Sequence, residues 1–181
     1  MNRIHFIILM ITLAILGVAS IPESYSQNVT DDEIKAALVF KFPVYVRWPE
    51  EVMKSDTDYF DCCILGDDRL ADMISQFDGE KLLEKTIRIK RVSATGFNEN
   101  CHMLFISSTE QDNLEDILKP IETKPILTVG DMKEFARKGG IINLVRKKES
   151  VHFEININAV DKSGLKISSK LLRLADIISD K

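Results

Sequence analysis

Apolar and polar positions alternate most regularly in residues 151–157, where Val151, Phe153, Ile155 and Ile157 interleave with His152, Glu154 and Asn156. That period of two is the signature of a strand with one buried face. A second short apolar run, residues 141–146, precedes it across the polar connector 147–150, so the pair predicts a β-hairpin. Just before the hairpin, residues 131–138 read as a short helix capped by Asp131, and Gly139-Gly140 releases the chain from it, because glycine enters positive φ without steric cost. After the hairpin, Leu171, Leu174, Ala175 and Ile178 recur at helical spacing and predict an amphipathic helix that closes over the sheet.

The N-terminal half is patterned differently. Thr30-Asp31-Asp32-Glu33 fits a capping box, so a first helix begins near Asp31 and carries Ile34, Ala37, Leu38 and Lys41 at helical spacing. Pro43 would clash with the carbonyl of Val39, which predicts a kink or an early end, and Trp48-Pro49 stops the helix. Residues 59–65 form an apolar strand, Gly66-Asp67-Asp68 a turn, and residues 69–77 a helix with Leu70, Met73, Ile74 and Phe77 on one face. Residues 87–92 alternate imperfectly and are charged, as an edge strand would be. A continuous apolar run at 103–107, a helix at 110–118 and a strand at 125–129 complete the pattern.

Strands alternating with helices specify an α/β fold: a single domain with a mostly parallel central sheet flanked by helices, ending in an antiparallel hairpin and a closing helix. The link from Val92 to Cys101 is short for a parallel crossover.

Composition changes this picture at the N-terminus. Arg3, the apolar run 4–18 and the small residues Ser24 and Ser26 read as a signal peptide, residues 1–26, cleaved before Gln27. The domain is then residues 27–181, exported to the periplasm or beyond; an uncleaved anchor is the alternative, although the run is short for a span. The net charge of −4 without a basic block argues against nucleic acid as a partner. Cys62, Cys63 and Cys101 are odd in number, so an exported chain would hold one pair and one free thiol, and with His102 and His152 scattered no metal set is expected.

Candidate chemistry is sparse. Ser107-Ser108 and Ser168-Ser169 lack the context of an activated nucleophile, so neither an enzyme nor a cofactor is expected. One glycine in Gly66-Asp67-Asp68 is far short of a nucleotide loop, and its carboxylates suit a helix cap. Glu154 is a candidate functional carboxylate; a hairpin polar face or a buried hydrogen bond explains it as well. Phe42, Tyr45 and Trp48 either plug the core or form a docking face, with Trp48 the leading candidate hot spot.

The blocks Gly139-Gly140-Ile141-Ile142-Asn143-Leu144-Val145, Val151-His152-Phe153-Glu154-Ile155-Asn156 and Gly164-Leu165-Lys166-Ile167-Ser168-Ser169-Lys170-Leu171-Leu172 resemble the C-terminal half of the YfiR-like family. Cys63-Ile64-Leu65-Gly66-Asp67-Asp68 and Cys101-His102-Met103-Leu104-Phe105-Ile106-Ser107 are similar to its middle segment, and the aromatic stretch through Trp48-Pro49 to its opening, with Pro43 a departure. The resemblance implies a periplasmic repressor that binds the periplasmic part of a membrane-bound diguanylate cyclase, or a sensor kinase, and holds it inactive. A small-ligand-sensing module, with its site at the carboxyl ends of the strands, is the second expectation. A homodimer is also admitted. The family's C-x-L-G pattern selects Cys63 over Cys62 as the partner of Cys101; their strand starts, if parallel neighbours, lie at the same sheet edge. Such a bond is either a structural staple or a redox link to signalling.

Overall fold

The structure is a computed structural model that describes residues 29–53, 57–94 and 100–179. The expected signal peptide, residues 1–26, lies outside them, as does part of the 92–101 connection.

Helix α1 (Asp31–Lys41) begins on the expected capping box: the Glu33 amide donates to Thr30 Oγ1 and the Thr30 amide to Glu33 Oε2. Pro43 ends it, and Phe42–Tyr45 continues as a 3₁₀ turn. Strand β1 (Val46–Arg47), a single helical turn α2 (Glu50–Met53), β2 (Tyr59–Leu65) and α3 (Arg69–Ser75) follow. Asp68 is the cap of α3, accepting the Ala71 amide at 2.8 Å. Next come β3 (Lys81–Leu82), β4 (Lys85–Val92), β5 (Met103–Ile106), α4 (Leu114–Leu118), β6 (Leu127–Gly130), β7 (Ile142–Lys147) and β8 (Ser150–Asn156). The chain ends through α5 (Ile157–Ser163), β9 (Lys166–Ile167), α6 (Ser169–Leu172) and β10 (Asp176–Ile178).

Eight strands form one sheet in the order β10-β8-β7-β6-β5-β2-β4-β3, while β1 and β9 pair separately as a two-residue antiparallel ladder. From β4 to β7 every pairing is parallel; β7 with β8, and β3 with β4, are antiparallel. This is the mostly parallel α/β domain with a late hairpin that the periodicity calls for. Strand β4 is flanked on its outer side by only the two residues of β3, and the Ile89 amide there donates to Asp78 Oδ1, so this near-edge is partly closed by a side chain.

Alternation along the strands builds two cores. Phe60, Cys62 and Ile64 face the larger one, with Ala36, Val39, Trp48, Ile74, Phe153 and Leu171. Cys63 and Leu65 face the smaller one, beneath α4, with Leu104, Ile106, Leu114 and Phe135.

Three segments depart from the periodic reading. Residues 131–138 are a succession of turns rather than a helix, and Asp131 caps nothing of the kind; it receives Lys35 Nζ at 2.8 Å. Side chains of the sheet satisfy this segment's backbone instead: Asn143 Oδ1 accepts the Met132 amide, Asn156 Nδ2 donates to the Ala136 carbonyl, and Thr128 Oγ1 accepts the Ile141 amide. Gly140 is required for close approach, since a Cβ there would overlap the Phe135 ring. The closing helix is present but lasts one turn, after which residues 176–178 add to the sheet parallel to β8, leaving Leu174 exposed. Finally, the second hairpin strand ends at Asn156, whose side chain accepts the Ala159 amide and starts α5, so Ile157 opens a helix.

Candidate functional site

The feature best suited to recognition is an open groove of about 740 Å³ between the β1–β9 ladder, α2 and the tip of the β3–β4 hairpin. Local sequence places its walls. Pro43 tightens the chain into a 3₁₀ turn that buries Phe42 and turns Val44 and Tyr45 outward. The ladder then pairs Val46 with Ile167 and Arg47 with Lys166, and the Ser168 amide donates to the Tyr45 carbonyl, fixing the tyrosine's backbone at the rim. Met53 and Leu83 complete the apolar lining, and Glu50 contributes a carboxylate.

Arg47 and Lys166 sit directly opposite one another. Like charges facing across strands repel, and neither side chain makes an ion pair among the described residues. A carboxylate of an occupant placed at this pair would relieve that repulsion; with Glu50 also in the lining, the groove is apolar with charge of both signs, and its ladder end suits negative charge.

The three aromatic candidates separate. Tyr45 is 38% exposed on the rim, whereas Phe42 is interior, edge-on to Phe153 at 5.2 Å. Trp48 is 5% exposed; its ring meets Phe60 edge-on at 5.4 Å and its Nε1 donates to the His102 carbonyl at 3.3 Å. Of the two readings held for this side chain, core and docking face, its burial takes the first: the indole N–H finds its partner in the interior, and Trp48 forms the floor of the groove.

Glu154 is not part of the groove. It accepts Asn143 Nδ2 at 3.1 Å, and the same amide's oxygen holds the Met132 N–H, so Glu154 orients a buried asparagine that supports the 131–140 turns. It also lines a separate polar cleft with Lys35, Asp131 and Arg146.

Cys63 and Cys101 form a disulfide with Cα atoms 5.9 Å apart between neighbouring parallel strands; Cys101 lies just ahead of β5, as expected, whereas Cys63 sits past the middle of β2 and not at its start. Cys62 points into the other core as a free thiol, and burial pushes its pKa up to about 12, so it stays protonated and inert. Beside it, Asp61 loses solvation, which would raise its pKa, but hydrogen bonds from Arg88 and Lys90 outweigh that and hold it below the usual value. His102 is held low by burial, against the pull of Asp61; its Nδ1 accepts the Asp61 amide at 3.0 Å and its ring stacks on Phe60.

The carboxyl ends of β2 and β5, where strand order reverses, are the usual ligand crevice of such sheets. Here the chain's own side chains bond one another across the two strand ends. Ser107 Oγ donates to Asp68, the Asp67 amide donates to Thr109 Oγ1, and a Cβ on Gly66 would lie 2.6 Å from Thr109 Oγ1. The strand ends thus carry a hydrogen-bonded cluster of the chain's own hydroxyls and carboxylate, while the groove described above lies at the β1–β9 ladder.

The fold defines the class: a single mixed α/β domain on a mostly parallel eight-stranded sheet. The chain belongs to the YfiR/HmsC-like family, whose pattern matches residues 32–176, a family of regulators rather than catalysts. Comparison with curated protein sequences finds no match. Among solved structures it is similar to a conserved domain protein from Vibrio cholerae O1 biovar El Tor, with a TM-score of 0.56 at 10% identity over 82% of this chain. That likeness is one of fold, and the chain spans 60% of the length of the solved one.

The groove was only partly legible in the sequence. Tyr45 was within reach of the aromatic count, but Arg47, Leu83 and Lys166 carried no signal, because three segments distant in sequence meet only after folding.

Proposed function

We propose that this chain is exported to the periplasm and restrains a membrane-bound diguanylate cyclase, or a sensor kinase, by binding its periplasmic part in the inactive state. The observation that carries the reading is the apolar groove with two opposed cations, in a member of a regulatory family. The occupant it suits is an apolar segment of the membrane enzyme bearing carboxylates, its apolar groups met by Val44, Tyr45 and Leu83 and its charge by Arg47 and Lys166. Inhibition follows if that segment is presented only in the inactive conformation, since a binder shifts an equilibrium only through its differential affinity for the two states.

The experiment is deletion of the gene in its own host with cyclic di-GMP measured, followed by complementation. Deletion should raise cyclic di-GMP several-fold, or kinase output if the partner is a kinase; wild type should restore the low level, and Tyr45→Ala with Arg47→Glu should not, despite an unchanged fold. Unaltered signalling on deletion, with both proteins expressed, rejects the proposal. The groove's volume also falls within the range of small-molecule sites, about 300–1,000 Å³, which supports a second reading in which a small ligand competes for the groove and releases the partner.

A further inference from the structure

We propose that the β3–β4 hairpin is a strained grip in which Leu83 is the residue that holds the occupant of the groove, an inference that rests on the groove being the docking site. The turn has two residues, Leu83 and Glu84, between the pairs Leu82↔Lys85 and Lys81↔Thr86. Both lie at positive φ, 50° and 65°. A two-residue loop of that kind is a type I′ turn, for which Asn-Gly is the favoured sequence because a Cβ is disfavoured at positive φ. Leucine has neither glycine's freedom nor asparagine's local hydrogen bonds, so local preference opposes it at this position.

The strained turn sorts two consecutive leucines. Leu82 is buried at 5% exposure and belongs to the larger core, while Leu83 is 37% exposed and lines the groove. A relaxed Asn-Gly turn would close the same hairpin but present no apolar side chain there. The hairpin is also anchored against relaxation: Lys81 Nζ bonds Thr86 Oγ1 at 2.8 Å, Lys85 Nζ bonds the Thr57 carbonyl, and the Ile87 amide and carbonyl are taken by Glu80 and Gly79. Backbone strain persists where surrounding structure over-determines it, and such places are enriched in binding sites. Leu83 lines the same groove as Val44, Tyr45 and Ile167, so an apolar side chain of the partner is held between the hairpin tip and the β1–β9 ladder.

Three variants test this in the deletion host, with expression titrated, cyclic di-GMP read, and thermal melting measured on the purified chain. Glu84→Gly relaxes half the turn and keeps Leu83; it should raise Tm by about 2 °C and repress like wild type. Leu83→Asn with Glu84→Gly should raise Tm further, yet need at least tenfold more protein for the same repression. Leu83→Ala should need a similar excess without gaining stability. Unchanged repression by the Leu83→Asn, Glu84→Gly chain overturns the grip while leaving the docking reading intact. Failure of the wild-type chain to repress overturns the docking reading and this inference with it.

Discussion

Among the described residues two β-hairpins lie at opposite ends of the sheet, and they solve different problems. The β7–β8 hairpin pairs six positions, from Ile142↔Ile155 to Lys147↔Ser150, and its loop holds one residue at positive φ, Lys148. Its tip is polar and exposed. The β3–β4 hairpin pairs two positions, places both loop residues at positive φ, and points a leucine at a groove. A long ladder with a buried face tolerates an unfavourable loop residue because six pairs and Phe153 fix the register. A two-pair ladder has no such reserve, so its strained tip depends on side-chain clamps around it. The first hairpin is architecture; the second, on the proposal made above, is a contact.

The largest expected effects test the architectural end against the groove floor. Phe153→Ala, which removes the ring packed on Phe42 in the larger core, should cost about 3–5 kcal/mol in urea unfolding. Trp48→Ala should cost a similar amount, because this tryptophan is interior. A Trp48→Ala chain that melts like wild type but fails to repress would return Trp48 to the docking surface.

Next in size is the disulfide. Cys63–Cys101 spans 38 residues and joins β2 to β5, thereby tying the half of the sheet that carries β3 and β4 to the half that carries β7 and β8. Replacing both cysteines with alanine should cost about 2–4 kcal/mol. Hydrogen exchange should then speed up more in β4 than in β8, which lies in the half reinforced by the long hairpin; equal acceleration at both ends would erase that distinction.

A smaller effect concerns pH. His102 lies at the junction between β2, β5 and the groove floor, and burial holds it below its ordinary value of 6.5. The folded chain therefore binds fewer protons there than the unfolded one, so the contribution of His102 to stability is fully present above that value and is lost as pH falls through the lower folded value. Urea midpoints should drop between neutral pH and about pH 5, and His102→Gln should flatten the drop. A slope that survives the substitution assigns it elsewhere. Asp61, lowered by Arg88 and Lys90, adds a separate loss in more acidic solution, below its ordinary value of 3.8.

The smallest expected change compares the two loops directly. Lys148→Gly should stabilise by about 0.5–1 kcal/mol with repression unaltered, because that tip does not line the groove. Loss of repression in Lys148→Gly would extend the docking surface to the long hairpin.

Some of this was legible in the chain itself. The period-2 alternation of Val151, Phe153 and Ile155, the Thr30–Glu33 and Asp68 caps, and the early helix end at Pro43 each rest on interactions within a few residues. Alternation alone also places Cys62 and Cys63 on opposite faces. Tertiary structure decided the rest. Residues 131–138 carry a helical pattern, but Asn143 takes the Met132 amide and Asn156 the Ala136 carbonyl from the sheet, so the segment settles as turns that keep a single helix-type bond, Lys138 to Glu134. Residues 174–178 carry another, but the open side of β8 offers strand pairing in place of a second helical turn. The groove is the furthest from the sequence: Tyr45, Leu83 and Lys166 become neighbours only when the β1–β9 ladder and the β3–β4 hairpin are both in place. Local pattern fixes what a segment's own neighbours can satisfy; where a backbone amide or an apolar face finds its partner far along the chain, only the folded molecule chooses.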